Sequence, residues 1–353
     1  MRQHTHIRAW LTAALILLFL PSAVWSRGVA EQDFPPVEDR RVETDELVIY
    51  TYDSLGGTLR RLIESHFAET YGVTVTMERI GDTGTLYTQT FLERDDPRAD
   101  VVIGLDESFL PRIRRDRLFE PFEPSAIELV RPELAVAEDW LVTPFDFGFI
   151  TLNYNAELLP EPPSSWDDLL DERFRNSIIM LHPGTSSPGR NFLLATIAEF
   201  GEDGFVEFWE TLAPNILTVT SGWSEGYGLY TQGEAPMVVS YETSPAFHRA
   251  FEDTDQFRSI IFDNRAYMQI EVAGIVRGAR NRLNAERLID FIVSEEFQSE
   301  IPFTQFMYPI HPAVELPQAF LDGNVDVEGV RLDNDLIEAN FTTWLEAWED
   351  ALR

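Results

Sequence analysis

The chain has 353 residues, 44% of them hydrophobic, which is enough for two packed lobes and excludes a disordered or fibrous polypeptide. Basic residues, all of them arginine, number 27 against 60 acids; the net charge of −33 argues against nucleic acid as a partner and reads as a solvated acidic surface. Cysteine is absent, which excludes disulfides, thiolate nucleophiles and cysteine metal sites together.

The N-terminus reads as an address. Arg2 and Arg8 precede an apolar run from Trp10 to Leu20, followed by Pro21 and small residues around Ser22, Ala23 and Ser26, the order of a secretory signal peptide over residues 1–26. The run is short for a membrane span and no comparable stretch follows, so the mature chain is expected to be exported and soluble, without membrane insertion after cleavage. Residues 27–44 carry acids and Pro35-Pro36 without apolar periodicity and are expected to form an extended leader.

From about Leu47 the pattern is strand, loop, helix. LVIYTYDS, VTVTMERI and ADVVIGLDES have the β-branched and aromatic content of strands, and helices are expected over Leu59 to Tyr71 and about Leu86 to Glu93, with a loop at residues 81–85. Strands alternating with helices predict a mostly parallel sheet. The segment TPFDFGFITLNYN is a long aromatic strand with no helix between its halves, and RAYMQIEVAGIV, residues 265–276, is a second; both are suited to crossing between lobes. SIIML, NILTVT and Met237 to Val239 read as buried strands. Helices are expected over Asn191 to Phe200, near Phe205 to Thr211, and after a cap at Ser221 or Gly222. Ser187-Pro188 and Ser244-Pro245 each read as an N-cap followed by proline at the first helical position. Helices near Ala285 to Val293 and Ser294 to Glu300 precede a loop at Ile301 to Pro309. A final helix at about Asp335 to Leu352 should place Trp344 and Trp348 on one face. The expected organisation is discontinuous: lobe I over residues 45–145 plus 267–353, lobe II over residues 146–266, and a cleft between them.

Enzyme signatures are missing. The chain has no Walker loop, no GxGxxG after its first strand, no HExxH and no GxSxG, and its six histidines are scattered. The expectation is a binding protein with no catalytic residue, no metal and no cofactor. Trp223 and Tyr241 read either as core rings or as the lining of a cleft, since both stand beside polar Gly/Ser loops. Asp82 reads as a turn residue or a ligand contact. The Thr185 to Gly189 loop reads as a helix cap that also offers N–H groups to an anion. Rings together with carboxylates favour a flat cation, which gains ~0.5–2 kcal/mol over an aromatic face.

YTYDS (50–54), ADVVIGLD (99–106), PFDFGF (144–149), TSSPG (185–189), TVTSGWSEGYGL (218–229), SYETSPAF (240–247) and FMYPI (306–310) together resemble the periplasmic thiamine-binding proteins of bacterial ABC importers. The resemblance spans residues 45–350 in order. It implies the type II periplasmic binding protein fold: two α/β lobes, each a mostly parallel sheet flanked by helices, joined by two crossing strands. It further implies a monomer that closes on thiamine, thiamine monophosphate or thiamine diphosphate and delivers it to an inner-membrane ABC permease. Residue by residue it places Asp82 and Thr83 at a ligand-contacting loop, Ser186 and Ser187 on the phosphate or hydroxyethyl side, and Trp223 against the rings. Tyr241, Glu242, Thr243, Ser244 and Pro245 would close the pocket. The chain departs from the family at Thr83, where a glycine is usual, and at Phe306, where a tryptophan is usual; phenylalanine keeps a stacking face and loses an N–H donor. A polyamine-binding protein of the same fold is the alternative. A ferric-ion binder lacks its adjacent tyrosine pair here, and a thiaminase would require the cysteine that is missing.

Overall fold

The computed structural model describes residues 44–353, apart from residue 137 and residues 324–325. The predicted signal peptide and residues 27–43 of the predicted leader lie outside the described residues. The strands among the described residues are β1 (Glu46–Thr51), β2 (Thr74–Arg79), β3 (Val101–Asp106), β4 (Phe119–Glu120), β5 (Thr143–Asn155), β6 (Ile178–Leu181), β7 (Ile216–Thr220), β8 (Met237–Tyr241), β9 (Phe257–Ile260), β10 (Arg265–Val276), β11 (Tyr308–Pro309) and β12 (Glu328–Val330). They run in the order β2-β1-β3-β10-β5-β8-β6-β7, with β4 and β12 added to β10 and with β9 and β11 added to β5.

The pairing explains why the apolar runs are continuous. β1 lies parallel to β2 and β3, and β6 lies parallel to β7 and β8, the arrangement expected from strands alternating with helices. Every residue of β3 is buried, as a strand covered on both faces requires. β5 and β10 occupy the predicted crossing positions to the residue. The first half of β5 pairs antiparallel with β10, and its second half pairs with β8 and β9. One strand therefore leaves the β1 side of the sheet and ends on the β8 side.

Large cores flank this seam on both sides. Leu47, Ile49, Leu59, Val101, Ile103 and Ile289 pack together on one side; Ile178, Met180, Phe192 and Trp209 pack on the other. The Asn334–Ala351 helix starts on Asp333, whose carboxylate accepts the N–H groups of Asp335 and Leu336. It buries Trp344 and Trp348 as its spacing predicts, against the core of Trp209. On that same side the Arg190 guanidinium lies 3.4 Å from the centre of the Phe341 ring, while Glu338 reaches across the seam to pair with Arg112 at 3.0 Å.

Several local expectations are corrected. The helix expected from Leu86 begins at Thr83, because the Asp82 carboxylate caps it by accepting Thr83 N–H at 2.7 Å, so residues 83–85 are its first turn and not a loop. Ser187 is the first residue of its helix, with Ser186 at the cap position, and no side chain closes that cap. The two helices expected over residues 191–211 form one run, Ser187–Leu212, broken only at Gly201, whose φ of 73° is open to glycine. Ser244 does precede a helix, but its hydroxyl bonds Ser240 at 2.8 Å and leaves the helix N-terminus without a side-chain cap. Within the loop expected at residues 301–309, Ile301–Thr304 is helical and Tyr308–Pro309 pairs as β11.

Candidate functional site

Strand ends and helix starts from both sides of the seam meet around a cavity of about 550 Å³. From the β1 side come Tyr52, Asp82 and Thr83; from the β8 side come Ser187, Pro188, Trp223, Tyr227, Tyr241, Ser244, Phe247 and His248; Glu271, on β10, lies between them. Two glycines make the approach close enough. A Cβ on Gly104, in β3, would stand 1.8 Å from the Tyr52 ring; one on Gly84 would stand 2.5 Å from the Gly184 carbonyl oxygen.

The two sides are tied directly. The second oxygen of Asp82 accepts Trp223 N–H at 2.9 Å, Gly84 N–H donates to the Thr185 carbonyl at 2.9 Å, and the Thr83 hydroxyl donates to Ser187 Oγ at 3.1 Å. Burial pushes the Asp82 acid up from its ordinary range, and the Thr83 and Trp223 N–H groups oppose that by favouring the carboxylate. Ser186 also favours the ionised form without closing a direct bond.

One wall is aromatic. Trp223 stacks on Tyr227 with ring centres 4.8 Å apart and an 18° angle between planes, and its indole N–H donates to Ser240 Oγ at 2.9 Å. The Tyr227 hydroxyl meets His248 Nε2 at 2.9 Å, and His248 Nδ1 meets Glu252 at 2.6 Å. Both rings are thereby fixed before any ligand arrives. At the mouth stand Phe247, Phe251, Phe303 and Phe306. Phe306 has a φ of 55°, an uncommon backbone for a bulky residue and a strain that concentrates at ligand sites.

The floor is acidic. Glu271 accepts the Tyr52 hydroxyl at 2.7 Å and the Tyr241 hydroxyl at 2.9 Å, while Gln269 donates to it at 3.1 Å and to Tyr241 at 2.8 Å. Burial pushes the Glu271 acid up to about 7, the two phenols partly opposing the shift. Tyr52 and Tyr241 are held well above the ordinary phenol range by burial and by Glu271, so both remain donors. A cavity with stacked rings on one wall and carboxylates at Asp82, Glu252 and Glu271 suits a flat cation better than an anion or an apolar solute.

Of the ten residues singled out from the sequence, Asp82, Thr83, Ser187, Trp223, Tyr241 and Ser244 line this cavity. The other four stand behind it. Ser186 is buried beneath the helix start, and Thr243 is buried without a bond to its hydroxyl. Glu242 accepts the Tyr308 hydroxyl at 2.9 Å, and burial pushes its acid up to about 8. Pro245 opens the Pro245–Phe251 helix. Sequence reasoning did not single out Tyr52, Tyr227, His248 or Glu271. A signal for Glu271 existed: an acid inside an otherwise apolar crossing strand has no packing reason to be there.

Among the described residues no group of acids and histidines is arranged to hold a metal ion, and no helix is long and apolar enough to cross a membrane. Residues 96–324 match the family profile of bacterial extracellular solute-binding proteins. The chain is 34% identical over 281 residues to the thiamine-binding periplasmic protein of Brucella abortus, covering 78% of this chain and 83% of that one. It is 30% identical over 308 residues to the thiamine-binding periplasmic protein of Escherichia coli, covering 87% and 93%. A solved structure described as a periplasmic thiamin binding protein superposes with a TM-score of 0.81 at 30% identity, over 87% of this chain and 96% of the other.

Proposed function

The chain belongs to the bacterial extracellular solute-binding proteins, with the type II periplasmic binding protein fold, and on that premise we propose that it captures thiamine in the periplasm and delivers it to an ABC permease. The observation that carries the ligand is that the fixed Trp223–Tyr227 stack and the Glu271 carboxylate line the same cavity. A thiazolium ring is flat and positively charged, and each of its properties has a partner there. The pyrimidine adds a second flat ring for the aromatic residues at the mouth. Thiamine phosphates extend the ligand toward Ser187 and the start of its long helix, where a hydroxyl and N–H groups favour an anion.

In this reading Asp82, Thr83, Ser187, Trp223, Tyr241 and Ser244 touch the ligand or the closing surfaces. Ser186, Glu242, Thr243 and Pro245 hold the loops that carry them. The lobes, expected over residues 45–145 plus 267–353 and residues 146–266, open by flexing β5 and β10, with the Asn334–Ala351 helix moving with the second lobe on whose core it packs, and the bonds from Asp82, Gly84 and Thr83 to the far side form on closure. A polyamine would satisfy the carboxylates as a string of separated charges and leave the flat wall without a matching face. Calorimetry with thiamine and with spermidine distinguishes them: thiamine should bind at least roughly a hundredfold tighter, a gap of about 2.7 kcal/mol. Equal or tighter binding of spermidine would overturn the proposal.

A further inference from the structure

Three carboxylic acids lie on one rung of the sheet. Asp106 at the end of β3, Glu271 in β10 and Asp146 in β5 are register partners across adjacent antiparallel strands. Directly opposed residues hold their Cβ atoms ~4.5–5.5 Å apart, and like charges so placed repel. All three are buried: Asp106 and Asp146 are 0% exposed, and Glu271 is 5% exposed.

Compensation along the rung is uneven. Asp106 has the buried Arg190 guanidinium bearing on it and accepts Ser108 N–H at 2.8 Å. Glu271 has three neutral donors: the two phenols and Gln269. No protein group among the described residues bonds either oxygen of Asp146. Its partner in β11 is Pro309, which has no N–H to offer. Asp146 feels the charge of Glu271, and its own charge bears on Tyr52 and Tyr241; all three of these neighbours line the cavity. The groups facing Glu271 are thus Tyr52 after β1, Asp82 before its helix, Asp106 of β3, Asp146 of β5 and Tyr241 of β8, with Glu107 next to Asp106 behind them and feeling its charge. The fixed cation that bears on the rung, Arg190, serves its Asp106 end.

We propose that Glu271 and Asp146 form a cation-exchange subsite: the pair holds one proton in the free protein, and the positively charged ring of the ligand, settling over Glu271 between Tyr52 and Tyr241, displaces it. The carboxyl O–H bond breaks, its electron pair stays on the carboxylate, the proton leaves to water, and the fixed ligand charge replaces it. This deepens the thiamine reading and rests on it. Burial pushes both acids upward in the free protein, with Asp106 and Asp82 adding to it at Glu271 and Glu271 adding to it at Asp146; Glu271, at about 7, sets its exchange near neutral pH. Affinity should therefore rise with pH through that range and level off once the pair is ionised in the free state.

The test is calorimetry of thiamine binding at about pH 7 in buffers of different ionisation enthalpy, where the slope counts protons. The wild type should release between about half and one proton. Asp146→Asn should still bind thiamine but release fewer protons than the wild type, because one of the two carboxyl groups that can hold the exchanged proton is gone while burial still raises Glu271. Glu271→Gln should lose roughly tenfold or more in affinity. On the wild type alone, infrared difference spectra should show the C=O band of a protonated carboxyl vanish as thiamine is added, a readout that does not depend on the variants folding. Thiamine binding with no proton release, with undiminished release in Asp146→Asn, or with an unchanged carboxyl band overturns the exchange and leaves the ligand assignment standing. No thiamine binding at all overturns the assignment and the exchange together.

Discussion

Replacing Asp82 with alanine separates two contributions that one carboxylate makes. It accepts Thr83 N–H at 2.7 Å within its own half of the molecule and Trp223 N–H at 2.9 Å across the cavity. The first is a helix cap, and its loss should cost ~1 kcal/mol of stability with or without ligand. The second exists only while the halves are together, and a hydrogen bond to an ionised acceptor is worth ~1.5–3 kcal/mol. At about 1.4 kcal/mol per factor of ten, thiamine should bind Asp82→Ala roughly 10- to 150-fold more weakly. Asp82→Asn keeps an acceptor without its charge; since charge-assisted bonds are about twice as strong as neutral ones, its loss should be about half as large in free energy. Calorimetry on the three proteins gives the affinities, and small-angle scattering with saturating thiamine gives the closed fraction. Both should rank wild type, asparagine, alanine. An Asp82→Ala affinity within about twofold of wild type would refute the assignment of this bond to the closed state.

Trp223→Ala should weaken thiamine binding by ~2 kcal/mol or more and abolish most of the ligand-induced quenching of tryptophan emission; unchanged affinity removes the ring from the site. Ser187→Ala removes the closing bond from Thr83 for both ligands and should cost thiamine monophosphate ~1.5–3 kcal/mol more than it costs thiamine, whereas Ser186→Ala, whose hydroxyl stands behind the cavity, should change both ligands alike. Equal losses in Ser187→Ala would leave that serine a purely local role. The ligand-free protein should melt at a higher temperature near pH 5 than near pH 8. Burial raises Glu271 to about 7 and Glu107 and Glu242 to about 8, from an ordinary value of 4.5. As pH rises from 4.5, the unfolded chain loses these protons first, so the folded state binds more protons and stability falls until pH passes the folded values. A melting temperature that climbs steadily from about pH 5 to 8 would contradict this.

Much of the fold was legible because its determinants are local. Continuous β-branched and aromatic runs marked β5 and β10 to the residue, and the four-residue spacing of Trp344 and Trp348 marked the buried face of the last helix. Helix starts were less legible, because a Gly/Thr segment after Asp82 reads equally as a loop until the carboxylate is seen to close on Thr83 N–H. Asp82, Trp223 and Tyr241 were found through their motifs. Tyr52 and Glu271 were not, since their meeting depends on register between strands far apart in sequence, here a phenol 219 residues from its carboxylate. The trace they leave is an acid in an apolar strand, seen in both PFDFGF and MQIEVAG. Which partners such an acid faces is a property of topology, not of local pattern. Tyr227 and His248 escaped for the same reason: the helices that carry them meet only in the folded chain.

Mass spectrometry of whatever small molecule the protein, purified from the periplasm of a thiamine-replete bacterial host, releases on denaturation shows whether this cavity is built for thiamine. Thiamine or one of its phosphates, near one equivalent per chain and displaced from Trp223→Ala, is the predicted result. A polyamine at that stoichiometry, or a protein that refuses added thiamine after release of its ligand, would contradict it.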